Sequence, residues 1–244
     1  MVNTGTYAVS EILWCEVSLF PSVFSKEAKR YTLDNVLKSF ASQKYAKNIR
    51  EARSYLHSGD SEMYKACKSM LPVVAFCGVF KEGHSKANLV RYNNIVIIDI
   101  DHLSEEALLT VAQQLRQDEY VFAYWKSPSG QGLKGLVRIS DNNKMPIDEH
   151  HRQAFRQLTD LFKTNYSIDI DQSGSDYSRL CYACWDKGLV IKETAKVFQV
   201  IHDSANNGIP DIKSSATVQS NKRHVQKGND RQEDIGTIRD IIRY

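Results

Sequence analysis

Residues 94–101 read NIVIIDID, an almost unbroken apolar run that ends in two carboxylates one residue apart. A strand that shows one face to water alternates apolar and polar side chains. This one does not, so it is expected to be buried on both faces in the middle of a sheet. Strand residues two apart point to the same face, so Asp99 and Asp101 project together while Ile98 and Ile100 pack on the other side. Two adjacent carboxylates repel unless a cation lies between them. Mg²⁺ or Mn²⁺ suits the pair, because such hard ions take oxygen ligands and Mg²⁺ typically rests on one or two carboxylates plus substrate phosphates. In a two-metal site the ions stabilise the attacking and leaving oxygens of a phosphoryl transfer. Taken alone, the DxD also fits a strand that ends at Ile98 and whose acids cap the following loop.

Helices and strands around this run define an α+β chain. Residues 11–20 (EILWCEVSLF) are rich in β-branched and aromatic side chains, stop at Pro21 and read as a first strand. Thr32 caps a helix in which Leu33, Val36, Leu37 and Phe40 recur at helical spacing. A second helix is expected over about 46–56, ended by Gly59, and a third from Ser61 to Met70, halted before Pro72. From Pro72 strands take over: 73–80, then 94–101. Ser104, followed by Glu105 and Glu106, begins a helix to about 117. Residues 120–126 and 133–140 form strands joined by the turn-rich SPSGQG. A helix over 147–165 places Ala154, Leu158, Leu161 and Phe162 on one face; His150 and His151, about 100° apart on it, read as surface residues. A strand over 180–185 and a short helix over 193–202 complete the domain.

Two further constellations accompany the acidic pair. In KSPSGQGLKG, small residues let backbone amides approach an anion, hydroxyls of Ser127 and Ser129 donate to phosphate oxygens, and Lys134 supplies a compact positive charge. Gly130 and Gly132 belong to the same loop, which fits a triphosphate or, more plainly, a hairpin turn. Farther on, Asp169, Asp171, Asp176 and Arg179 lie between a helix and a strand. There a third carboxylate, Asp171 with Asp169 as the fallback, can complete metal coordination, and Arg179 can pair with a phosphate through its planar fork. Acids beside Ser and Gly are also ordinary turn formers. His102 follows the acidic pair closely enough to sit behind a metal ligand, or simply faces the loop. Cys181 and Cys184 form a CxxC without a second pair at zinc spacing, and read as buried thiols.

The bulk numbers bound the reading. A chain of 244 residues, 42% hydrophobic and 25% charged, suits one large or two small globular domains. No apolar run approaches the roughly 18–20 residues of a membrane span, and no basic segment leads into an apolar stretch at the N-terminus, so a cytoplasmic location with no membrane partner is expected. Five cysteines, mostly in apolar segments, are expected to be reduced. Net charge is +3, but residues 26–92 carry 13 Lys or Arg against 6 Asp or Glu, 13 − 6 = +7. That balance suits a helical lobe facing phosphates, or solvated helix faces. Residues 204–234 are polar and read as a linker; 235–244 (IGTIRDIIRY begins at Ile235) read as the start of a further helix or a docking segment.

The order of the three motifs, hhhDhD on a strand, then a Ser/Gly loop with a basic residue on the next strand, then an Asp before a strand, resembles the catalytic domain of archaeo-eukaryotic-type primases and primase-polymerases. LPVVAFCGVF, NNIVIIDIDHL, SPSGQGLKGLVRI and DQSGSDYSRLCYACWD are similar to the VirE N-terminal family, a primase-like domain often found ahead of a helicase-like ATPase. The resemblance spans roughly residues 65–187. It implies an RRM-like palm sheet over 72–203 beside a basic helical lobe over 26–71, within one catalytic domain of residues 1–203. It also implies metal bound by Asp99, Asp101 and Asp171, with nucleotide contacts from Ser127, Ser129, Gly130, Gly132, Lys134 and Arg179. The implied partners are nucleoside triphosphates, a single-stranded nucleic-acid template and a helicase-like ATPase; the implied activity is nucleotidyl transfer in replication of DNA or a mobile element. In one respect the chain departs from the pattern: many primase-polymerases carry histidine where this chain has Lys134, and a lysine binds phosphate without offering a neutral imidazole. A nucleotide- or nucleic-acid-binding module without turnover, and a metal-dependent nuclease, are the alternative readings.

Overall fold

The computed structural model describes residues 5–141 and 145–202, a mixed α+β arrangement of small antiparallel sheets and six α-helices. The segments read as linker and terminal helix, 204–234 and 235–244, lie outside the described residues.

In chain order the first elements are β1 (Thr6–Ala8), α1 (Ser10–Leu13), β2 (Glu16–Phe20), β3 (Lys29–Thr32), α2 (Leu33–Ala41), α3 (Ala46–His57) and α4 (Ser61–Ser69). They are followed by β4 (Val73–Ala75), β5 (Gly78–Phe80), β6 (Leu89–Tyr92), β7 (Ile95–Ile100), α5 (Glu105–Gln117), β8 (Val121–Lys126) and β9 (Leu133–Arg138). The last are α6 (Ile147–Tyr166), β10 (Cys181–Tyr182), β11 (Val190–Ile191) and β12 (Thr194–Lys196). Caps act where local chemistry places them: Thr32 accepts from Asn35 N–H and Ser104 from Ala107 N–H. At α4 the cap is Asp60, not Ser61; its carboxylate accepts from Met63 N–H.

The functional strand, β7, lies in a four-stranded sheet of order β11-β8-β9-β7. It is buried on both faces, as its apolar run requires. Ile95 and Ile97 enter one core with Phe122, Trp125 and Leu136. Val96, Ile98 and Ile100 enter a second core with Leu108 and Val111 of α5 and Phe155 and Leu158 of α6. The expected central position is corrected: among the described residues β7 is an edge strand, paired only with β9. Its outer edge is shielded by the turn after α6, where Asp171 N–H donates to the Asp99 carbonyl at 2.9 Å. Burial of both faces is supplied by layers above and below, which a sequence reports; strand order is not.

Other expectations are corrected by tertiary pairing. Residues 11–20 split into α1 and β2, because Val9 and Ile12 turn to the core at helical spacing and pairing begins only at Glu16. Residues 73–80 break at Phe76–Cys77 into β4 and β5, which join different sheets. The 180–185 strand shortens to β10. The 193–202 helix is absent: β12 pairs with β1, and Phe198 bridges to Ile139. AKVFQV fits both periodicities, and strand pairing decides between them. A second four-stranded sheet, β10-β4-β2-β3, interleaves strands from residues 16–32 with strands from 73–75 and 181–182. No helix among the described residues is long and apolar enough to cross a membrane.

Candidate functional site

Asp99 and Asp101 open onto one cavity of about 460 Å³, walled by α4, β7, the β8–β9 loop, β9 and the segment 173–182. That volume falls in the ordinary range for small-molecule sites. The register places Lys134 directly across β9 from Asp99, with Trp125 next in the row on β8. The Lys134 ammonium ion-pairs with Asp99 Oδ2, both side chains being largely buried. Burial alone would lower the Lys134 pKa. The carboxylates of Asp99, its ion-pair partner, and Asp101 more than reverse this, and the shift is upward. Cys181 is itself pushed up to about 11 by burial and is neutral at pH 7. The second oxygen, Asp99 Oδ1, is buried and accepts no hydrogen bond among the described residues.

The Ser/Gly loop is shaped by its own backbone. Gly130 N–H donates to Ser127 O, Ser127 N–H to Gly132 O, and Gln131 N–H to Ser129 Oγ, so these three amides are engaged within the loop. Gly130 is left-handed at φ 79°. Gly132 permits a close approach: a Cβ there would meet Ile100 O at 2.6 Å and Asp101 Oδ1 at 2.9 Å. Ser127 and Ser129 face the cavity with their hydroxyls 2.9 Å apart, while Gly130 and Gly132 stand behind the wall.

Among the third set, Arg179 lies on the cavity wall. Asp171 is brought to β7 through its backbone, while its carboxylate accepts from Ser173 N–H at 2.7 Å. The Ser173 hydrogen bonds, against burial and with help from Arg179 and Lys134, hold the Asp171 carboxyl below the usual range. Asp169 turns away to an ion pair with Lys163 at 2.7 Å. His102 is exposed, at φ 59°. Among the described residues, no group of three or more His, Cys, Asp or Glu side chains is close enough to hold a metal.

Several residues of the site were not legible as such. Tyr64 and Lys68, four apart on α4, face the cavity together with Ser129. Arg53 on α3 clamps the loop from behind: Nε donates to Pro128 O at 3.0 Å and an NH₂ group to Ser127 O at 3.2 Å. α4 buries none of its residues in the core. His151, expected at the surface, is fully buried: its Nε2–H donates to Gly174 O at 3.0 Å, so Nδ1 accepts from Tyr92 O–H at 2.7 Å. His150 is buried as well and bonds Ser140 O. Both helped to form the apolar stripe of α6. Cys77, Cys181 and Cys184 are buried free thiols, and Cys15 and Cys67 are free and partly buried.

A family model described as BT4734-like, N-terminal domain matches residues 66–190, just over half of the chain, and the chain belongs to this family. No curated protein and no solved structure matches it.

Proposed function

We propose that the domain is a primase-type nucleotidyltransferase related to the VirE N-terminal family, with β11-β8-β9-β7 as an RRM-like palm and α5 and α6 packed on its far face. The observation that carries this reading is the cavity itself. Two neighbouring carboxylates face two hydroxyls and several cations in one concave site of nucleotide size. The residues fit a divalent ion: Asp99 Oδ1 is a buried acceptor without a partner, Asp101 lies beside it on the same wall, and substrate phosphates ordinarily complete such a coordination sphere. Asp99 and Asp101 would hold the ion; Asp171, whose Oδ1 accepts from Ser173 N–H, does not line the cavity. Bound there, the ion supplies charge neutralisation at phosphate oxygens.

The chain's own residues do the rest. Ser127 and Ser129 donate to the nucleotide, Arg179 pairs with its phosphates, and Arg53 fixes the loop that presents the hydroxyls. A primer or initiating 3′-hydroxyl attacks the α-phosphorus; the new P–O bond forms as the bond to pyrophosphate breaks. A single-stranded template would direct the choice of nucleotide. Incorporation of labelled nucleotides on single-stranded templates with Mg²⁺ or Mn²⁺, beside an Asp99→Ala, Asp101→Ala variant, tests it. Product that disappears in the variant is expected; no product on any template rejects the reading.

One observation favours a second reading. Lys134 already neutralises Asp99, and the Asp171 carboxylate is engaged by Ser173, which suits a nucleotide- or nucleic-acid-binding module without turnover. Binding to single strands that falls with salt and survives Asp99→Ala would select it.

A further inference from the structure

Two lysines and one arginine line the cavity, and only Lys134 among them has a carboxylate partner among the described residues. Its charge is committed to Asp99. Lys68 is different: its ammonium sits 5.0 Å from the ring centroid of Tyr182 and 5.9 Å from that of Tyr64, cushioned by π faces. Desolvation, then the nearby Lys134 charge, lower its pKa against the pull of Asp101 and Asp99. A cation withdrawn from water without a counter-ion is unfavourable, and ring contacts return only about 0.5–2 kcal/mol. Arg179, on the same cavity, is exposed and likewise makes no ion pair among the described residues. Asp99, Asp101 and Asp176 share the wall, the first paired with Lys134 and the last 3.7 Å from Lys86, so the two cations without an ion pair mark a place for an incoming anion.

We infer that Lys68 and Arg179 form the subsite for the polyphosphate tail of a nucleotide, and that Lys134, held on Asp99, makes no phosphate contact. The inference rests on reading the cavity as a nucleotide site, and it relocates the phosphate-binding lysine from β9 to α4. The Tyr64 ring borders Lys68 on α4, and both face the cavity opened by Ser129.

The test is calorimetric titration of the full chain with inorganic tripolyphosphate in EDTA. The parent is expected to bind; Lys68→Gln and Arg179→Gln are each expected to weaken binding by about tenfold or more, and Lys68→Arg to keep most of it. Thermal unfolding of Lys68→Gln should match the parent, since Lys68 holds no buried ion pair. Unchanged tripolyphosphate affinity in Lys68→Gln, or no binding by the parent, overturns the subsite. Absence of nucleotide incorporation with tripolyphosphate binding intact rejects the nucleotidyltransferase reading instead and leaves the subsite standing.

Discussion

Lys134 faces Asp99 across the β7–β9 ladder, and their ion pair occupies the spot where strand pairing meets the cavity. At 12% and 14% side-chain exposure, neither charge has water to fall back on. Lys134→Met should therefore lower unfolding free energy by about 3–5 kcal/mol, the usual cost of stranding one member of a buried pair. Asp99→Asn with Lys134→Met should recover much of the loss in urea melts. A double variant no more stable than the single one would show that the pair is not what holds this edge. Mn²⁺ should stabilise Lys134→Met more than the parent, since a cation can then take the vacated place.

His151 gives the fold an acid limit. Burial pushes its pKa down to about 4, against about 6.5 when unfolded. Between those values the unfolded chain takes up a proton that the folded one refuses, so stability falls as pH drops through that window, by about 3 kcal/mol at pH 4. His150 is lowered too and adds in the same direction. His151→Gln, which keeps a donor for Gly174 O, should flatten the decline between pH 6.5 and 4; a parallel slope would assign it elsewhere.

Arg53 joins α3 to the loop through two carbonyls, a geometry that a planar guanidinium reaches and an ammonium does not. Arg53→Ala and Arg53→Lys should both weaken nucleotide affinity in equilibrium binding, with Arg53→Lys no better than partly restored. Full affinity in Arg53→Lys would reduce its role to charge alone.

Gly132→Ala should be worse than a surface change. The added methyl meets the Ile100 carbonyl and the Asp101 carboxylate, so a cost of about 1–3 kcal/mol is expected together with loss of Mn²⁺ binding. Retained stability and metal affinity would mean that the loop retreats freely.

The features legible in the sequence were those written locally. The Ser104 and Thr32 caps, the α6 period and the β8–β9 hairpin depend on neighbours within a few residues, and their boundaries agree closely with the structure. The partnership of Asp99 with Lys134 depends on β9 returning beside β7 after an intervening helix and strand, which no local period encodes. Arg53 was hidden among thirteen basic residues, distinguished only by the loop it meets. His151 was readable in principle: 151, 154, 155, 158 and 162 make one helical stripe.

The sheet β10-β4-β2-β3 has a practical corollary for anyone trimming this protein to its family signature. A polypeptide begun at residue 66 would lack Arg53 and Tyr64, and also β2, the strand that closes one side of Val73–Ala75. It would leave a bare, wholly apolar ribbon edge and uncover Trp125 and Phe76 where Phe40 now packs. The stretch by which the family is recognised is thus shorter than the stretch that completes this sheet.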